Sequence, residues 1–271
     1  MKVFPQNTIK AFTHAWNLGV DGIELDVQCT KDDIPVVFHD DKLNTLTNGV
    51  GSVGNFTFEQ IRRLDAGSHF SPEFSDARIP SLTEVLLKRP IGTWVNIELK
   101  TEIENVHYLK KILKPWKKYP RLERNPECAR EIEARRTALL TAKCLRELSK
   151  HIPDLLSFII ISSFDPIALE AFSHEMPNIP IGFLYCIEIK HDTRPLMKEI
   201  HYDGLHPAVF ETRRRTIKEN QEQGKAVLAW TVNSKTAAKK LFKWGINGII
   251  TNYPEMMLKL RDKMYGPKFH S

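Results

Sequence analysis

The chain has 271 residues, of which 42% are hydrophobic and 27% charged, so it can bury one sizeable core at a length common for single α/β barrels. No apolar stretch approaches a membrane span, which argues against stable membrane insertion, and no short-period repeat or low-complexity tract is present. The net charge of +6 is scattered through Lys110-Lys111, Lys117-Lys118, Arg135-Arg136 and Arg213-Arg214-Arg215. These clusters lie on amphipathic helical text, not in one stripe interleaved with aromatics, so they read as solvated faces and not as a nucleic-acid surface. Attraction to anionic substrates or lipid surfaces stays open. Cys29, Cys128, Cys144 and Cys186 show no CxxC spacing and read as reduced, mostly buried thiols, which suits a cytoplasmic protein.

Taken in order, the chain opens with a helix. Ile9, Phe12, Ala15 and Trp16 recur at helical spacing, with Asn7 as the expected N-cap and Gly19 as the stop. Residues 1–6 leave no room for a strand before it.

Asp21 to Asp40 is the most informative stretch. Glu24-Leu25-Asp26-Val27 alternates acidic and apolar side chains, which on a strand puts both carboxylates on one face. The next apolar run, Ile34 to Phe38, follows too closely for a parallel crossover, so the two runs form a hairpin. With Asp32-Asp33 as a two-residue loop, Lys31 faces Ile34 and Asp26 faces His39. Glu24, Asp26 and His39 then share a face, a pattern suited to a hard cation beside a proton-transfer group. The competing reading is a polar surface hairpin with a stray histidine.

Residues 41–79 are rich in Gly, Asn, Ser and Thr and read as a lid or insertion, with one short helix opened by Thr57-x-x-Gln60. His69 in that stretch reads as a surface side chain. Ser81-x-x-Glu84 opens a second helix. Thr93 to Lys100 is a strand with Asn96, Glu98 and Lys100 on one face and Val95, Ile97 and Leu99 on the other. Val106 to Lys150 is helical, basic and broken near Pro120 and Pro126. Leu156 to Ser163 reads as a buried strand ending at a Phe164-Asp165-Pro166 helix start. Strand-like runs follow at Ile181 to Cys186, Tyr202 to Leu205, Ala226 to Val232 and Ile246 to Thr251, with helical text between them.

Strands joined by helices number seven on this reading, the hairpin being an excursion. An open parallel sheet is one solution. Polar strand ends at Glu24, Asp26, Glu98, Ser162, Ser163 and Trp230 fit a barrel better, because barrel sites gather where several strands end. The expected fold is therefore α/β, a TIM (β/α)8-type barrel lacking its first strand, with a hairpin excursion and a small insertion. It forms one domain over residues 1–271, with 101–155 as a helical segment.

PQNTIKAF at Pro5 to Phe12, GIELDVQCTKD with VVFHD, TNGVG, LDAGSHF at Leu64 to Phe70, IPSLTEVL, NIELK, ISSFDP, AWTVN and GIITNYP together resemble the glycerophosphodiester phosphodiesterase family of phospholipase-C-like barrels. The likeness spans nearly the whole chain and is weakest from Thr101 to Asp154. It implies that Glu24, Asp26 and Glu98 bind a divalent cation, Ca2+ or Mg2+, that bridges to a small-molecule phosphodiester. It further implies that His39 is the general acid for the leaving alcohol, that Lys100 neutralises phosphate charge, and that Phe164 and Trp230 line the pocket. The alternative role for those two aromatics is closing the top of a barrel core.

The chain also departs from the family pattern. Members open with a strand ending in His-Arg-Gly; here Met1 falls where that triplet would end, and Gln6 stands at a glutamate position. A second catalytic histidine and a phosphate-binding arginine would then be missing, since His14 is helical and His69 and His206 are expected in other loops. Either the start was assigned too late, which leaves room for a lost signal peptide as well, or the chain begins here and lacks full activity; the exposed seam left by a missing strand favours the first. The expected function is metal-dependent hydrolysis of glycerophosphodiesters to glycerol 3-phosphate and an alcohol. A binding-only remnant and a lysophospholipase D-type activity are the alternatives. The sequence leaves the metal, the head group and the oligomeric state open.

Overall fold

The computed structural model describes residues 3–101, 129–186 and 200–266. The expectations for Lys110-Lys111, Lys117-Lys118, Pro120, Pro126 and Cys128 lie outside these residues. Eight strands form one curled sheet in the order β2-β1-β3-β4-β5-β6-β7-β8. They are β1 (Gly22–Cys29), β2 (Pro35–Val37), β3 (Trp94–Leu99), β4 (Ile159–Ser163), β5 (Ile181–Tyr185), β6 (Gly204–Pro207), β7 (Ala226–Ala229) and β8 (Gly248–Ile249). β2 pairs antiparallel with β1, and every other pairing is parallel. The expected seven helix-joined strands and one hairpin arm are thus present, as a half-barrel of α/β class.

Helices cover the outside: α1 (Ile9–Asn17), α2 (Phe58–Arg62), α3 (Leu82–Lys88), α4 (Ala129–Ser149), α5 (Pro166–Glu175), α6 (Arg214–Gln221), α7 (Lys235–Lys243) and α8 (Pro254–Tyr265). Period two explains why they can. Leu25 and Val27 of β1, Val95, Ile97 and Leu99 of β3, Ile159 and Ile161 of β4 and Phe183 of β5 all point to the helix side and join one core with Ala138 and Leu145 of α4 and Phe172 of α5. Burying a side chain such as Phe172 or Phe183, neither of which is exposed, stabilises the fold by roughly 1.5–3 kcal/mol. A second cluster, Val36, Phe38, Leu43, Val53, Ile61, Ala66 and Ile79, gives residues 41–79 their own small core over β2. A third joins β7 to α6, α7 and α8.

The helix starts at Ser81 and Thr57 are full capping boxes, with Glu84 and Gln60 reaching back to the cap backbone, each cap contributing about 1 kcal/mol. Asp165 caps α5 ahead of Pro166, as its sequence suggests. Four expectations are corrected. The N-cap of α1 is Thr8, whose side chain accepts from Ala11 N, while Asn7 stands outside the helix with φ +56°. β4 begins only at Ile159, because Leu155–Phe158 forms a 3-10 turn. His206 is a strand residue, fully buried in β6, and not part of a loop.

The fourth correction is the hairpin register. Val27 pairs with Val37 and Cys29 with Pro35, so the loop is three residues, Lys31 to Asp33, closed by Thr30 N donating to Ile34 O at 3.0 Å. A two-residue loop of the expected kind needs left-handed backbone at both central positions. Only Asp33 adopts it, at φ +65°, which is the three-residue pattern that ends in one left-handed residue. Asp26 therefore stands opposite Phe38, whose N–H donates to Asp26 O at 2.9 Å, and not opposite His39.

Candidate active site

β1 and β3 lie side by side and parallel, with Glu24 opposite Asn96 and Asp26 opposite Glu98. The fully buried Leu25, Val27, Ile97 and Leu99 hold that register, since a slip of one residue would move them all to the polar face. Glu24, Asp26 and Glu98 consequently share the inner face, with Glu98 one residue before the end of β3, each offering an oxygen within 4.8 Å of the others. Lys100 continues β3, its N–H donating to Val27 O, and its Nζ lies 3.0 Å from Glu98 Oε1 and 3.7 Å from Asp26 Oδ1.

These charges are held under strain. Burial, then repulsion from Asp26 and Glu98, keeps the Glu24 carboxyl well above the usual carboxylate range, with Lys100 opposing. Burial and Asp26 push Glu98 up to about 7 against the pull of Lys100 and, more weakly, His39. Burial alone would lower the proton affinity of Lys100, but Glu98, Asp26 and Glu24 outweigh it and hold the ammonium above the ordinary lysine range.

Asp26 has a further partner. The Asn7 side chain donates from Nδ2 to Asp26 Oδ2 at 2.8 Å and accepts from Asp26 N at 3.4 Å. One carboxylate oxygen is thereby fixed, and the other is turned toward Lys100.

His39 lies outside the 4.8 Å carboxylate set. Its side chain is 50% exposed, and its Nδ1 is 2.5 Å from Asp40 Oδ1. Burial works against the Asp40 charge, but hydrogen bonds from Thr45 and His39 outweigh it and leave that carboxyl below its ordinary value. Gln28, next on the inner face after Asp26, donates from Nε2 to both Phe38 O and Asp40 O at 2.9 Å. Phe164 and Trp230, each just past a strand end, pack edge to face with centroids 5.4 Å apart, and Trp230 Nε1 donates to His206 O at 2.7 Å. His69 is exposed, and His14 lies on α1 with its ring centroid 4.8 Å from that of Phe4 and tilted by 41°.

The donor set suits a divalent cation. It is all oxygen, the choice of a hard ion, and ligand atoms 4.8 Å apart or less are within the span of an ion that binds oxygen at about 2.3–2.6 Å. Two of the three carboxyls have raised proton affinity, so an ion there would relieve a repulsion that Lys100 offsets only in part.

Asn7, Gln28 and Asp40 escape a sequence reading because each acts through a contact set by the course of a loop. The Asn7 amide reaches 19 residues along the chain and the Gln28 amide 10 and 12, with no periodic signal to betray either. His206 is different: its alternation with Gly204 places it on the inner face, where its ring fills space over Gly182.

Residues 2–256 match the profile of the glycerophosphoryl diester phosphodiesterase family. A glycerophosphodiester phosphodiesterase of Caldanaerobacter subterraneus subsp. tengcongensis is 34% identical over 260 residues, covering 96% of this chain and 93% of its own length. Another, from Bacillus altitudinis, is 31% identical over 265 residues, 96% of this chain and 94% of the relative. The solved structure of an Oleispira antarctica phosphodiesterase in complex with the product sn-glycerol-3-phosphate superposes with a TM-score of 0.77 at 26% identity, over 96% of this chain and 92% of that one. No described helix is long and apolar enough to cross a membrane. Because profile and relatives align along the same residues that fold into the half-barrel and its acidic rim, the chain belongs to the glycerophosphoryl diester phosphodiesterase family.

Proposed function

We propose that the chain hydrolyses glycerophosphodiesters to glycerol 3-phosphate and an alcohol, using a divalent cation, Ca2+ or Mg2+, held by Glu24, Asp26 and Glu98. The observation that carries this reading is the convergence of those three carboxylates with Lys100 on one face of the sheet. The glycerol 3-phosphate held by the Oleispira antarctica relative supports the substrate class.

When bound, the cation supplies Lewis-acid neutralisation of the non-bridging phosphate oxygens. The chain's own residues do the rest. Lys100 adds fixed positive charge beside the non-bridging oxygens, where negative charge gathers as phosphorus becomes pentacoordinate. Water adds to phosphorus as the bond from phosphorus to the leaving oxygen breaks, and that oxygen takes the electron pair and a proton from His39 Nε2. The attacking water gives its proton up to bulk solvent, from which His39 is reprotonated before the next turnover. Phe164 and Trp230 form an apolar wall for the pocket.

The test is release of glycerol 3-phosphate from glycerophosphocholine. Chelation and Glu24→Ala are each expected to abolish it, with added magnesium or calcium rescuing only the chelated wild type. Undiminished release by Glu24→Ala in chelator sinks the reading. Binding of glycerol 3-phosphate without turnover of any diester points instead to a binding-only protein, and turnover of acylated substrates alone to a lysophospholipase D-type activity.

A further inference from the structure

His39 sits where regular pairing has already stopped. β2 ends at Val37, the imidazole is half exposed, and little packing holds it. Two things determine where its ring stands. The first is Asp40, whose Oδ1 engages Nδ1 at 2.5 Å and leaves Nε2 as the free ring nitrogen. The second is Gln28, whose single amide nitrogen donates to the carbonyl before His39 and to the one after it, both at 2.9 Å. Gln28 is itself anchored in β1, paired with Val36, on the face that carries Glu24 and Asp26. One strand therefore places both the carboxylates and the clamp on the histidine segment.

We infer that Gln28 is a positioning residue for the reaction: its amide grips Phe38 O and Asp40 O so that His39 Nε2 is presented to the leaving oxygen beside the Glu24, Asp26 and Glu98 cluster. This rests on His39 as proton donor. Because the two carbonyls flank His39, one amide holding both restricts where His39 can go. A misplacement of about 1 Å at a reacting group costs on the order of 10²-fold in rate.

The test uses the leaving group. Choline leaves glycerophosphocholine as a poor alkoxide that needs a proton, whereas p-nitrophenol leaves its ester of glycerol 3-phosphate as a stable phenolate that needs none. For Gln28→Met, which keeps bulk without a donor, kcat on glycerophosphocholine is expected to fall about tenfold or more at nearly unchanged KM, and kcat on the p-nitrophenyl ester by less than about threefold. His39→Ala should show the same selectivity more strongly. Damage to folding or to the cation site would depress both substrates alike. Equal losses on the two substrates in Gln28→Met, or no loss, overturn the inference, provided His39→Ala is selective. Equal losses in His39→Ala overturn the proton-donor reading and the inference with it. Should Gln28→Met not fold, Gln28→Asn carries the same expectations, since its shorter amide cannot span both carbonyls.

Discussion

Asp26 and Glu98 stand directly opposite each other in the pairing of β1 with β3, and Lys100 Nζ lies against both, 3.0 Å from Glu98 and 3.7 Å from Asp26. The lysine thus balances the carboxylates, and in the proposed reaction it also faces the phosphate. Lys100→Met is expected to lower kcat on the order of 10²-fold. Lys100→Arg should recover only part of it, because a planar fork does not replace a compact ammonium. Steady-state kinetics on glycerophosphocholine check this, and full activity in the Met variant would remove Lys100 from the mechanism.

Asn7 holds Asp26 from outside the sheet. Asn7→Gly keeps the left-handed backbone and deletes the amide, so apparent cation affinity is expected to drop about 10- to 100-fold, the usual cost of losing a partner that orients a ligand. Asn7→Ala should lose the same affinity and also melt lower, since an alanine in that backbone conformation costs about 1–2 kcal/mol. Calorimetric titration with calcium or magnesium, beside thermal melts, separates the two effects.

Cation stabilisation should depend on pH. Glu98 is raised from an ordinary 4.5 to about 7, so the folded protein binds more protons than the unfolded chain between those values. This group's contribution is full below about 4.5 and is lost as pH rises through about 7. Thermal melts should show calcium or magnesium raising Tm more at pH 8 than at pH 5. Equal shifts at both pH values would contradict the assignment of Glu98 as a ligand.

His206 works in the opposite sense. Burial lowers it from 6.5 to about 4, so its neutral form contributes full stability above about 6.5, and that contribution is lost as pH falls through about 4. His206→Phe keeps a planar ring over Gly182 and cannot titrate. Urea midpoints for variant and wild type, compared at pH 7.5 and 4.5, should show the wild type losing more on acidification. Because Glu98 pulls the other way over part of this range, the difference between the two proteins is the quantity to read.

The alternation in Glu24-Leu25-Asp26-Val27 and in Asn96-Ile97-Glu98-Leu99 makes the carboxylate face legible before any coordinates, because a strand's two faces are written two residues apart. Helix starts at Ser81, Thr57 and Asp165 are legible for a similar reason, each cap lying within three residues of its partner. The hairpin register was not. Whether Asp32 or only Asp33 turns left-handed is decided by contacts such as Phe58 N donating to Asp32 Oδ1 from 26 residues away, and moving that choice by one residue puts Phe38 opposite Asp26 in place of His39.

By itself, then, the sequence determined an α/β alternation, a hairpin early in the chain and a set of acidic side chains committed to one side of two strands, since hydrophobic periodicity is local and survives without a fold. Folding in three dimensions makes β1 and β3 neighbours in the register that joins Asp26 to Glu98, closes Asn7 on Asp26, and sets Gln28 against the segment bearing His39. Each of those contacts joins segments whose separation along the chain carries no repeating pattern, and it forms only when the burial of Leu25, Val27, Ile97 and Leu99 fixes the sheet beneath it.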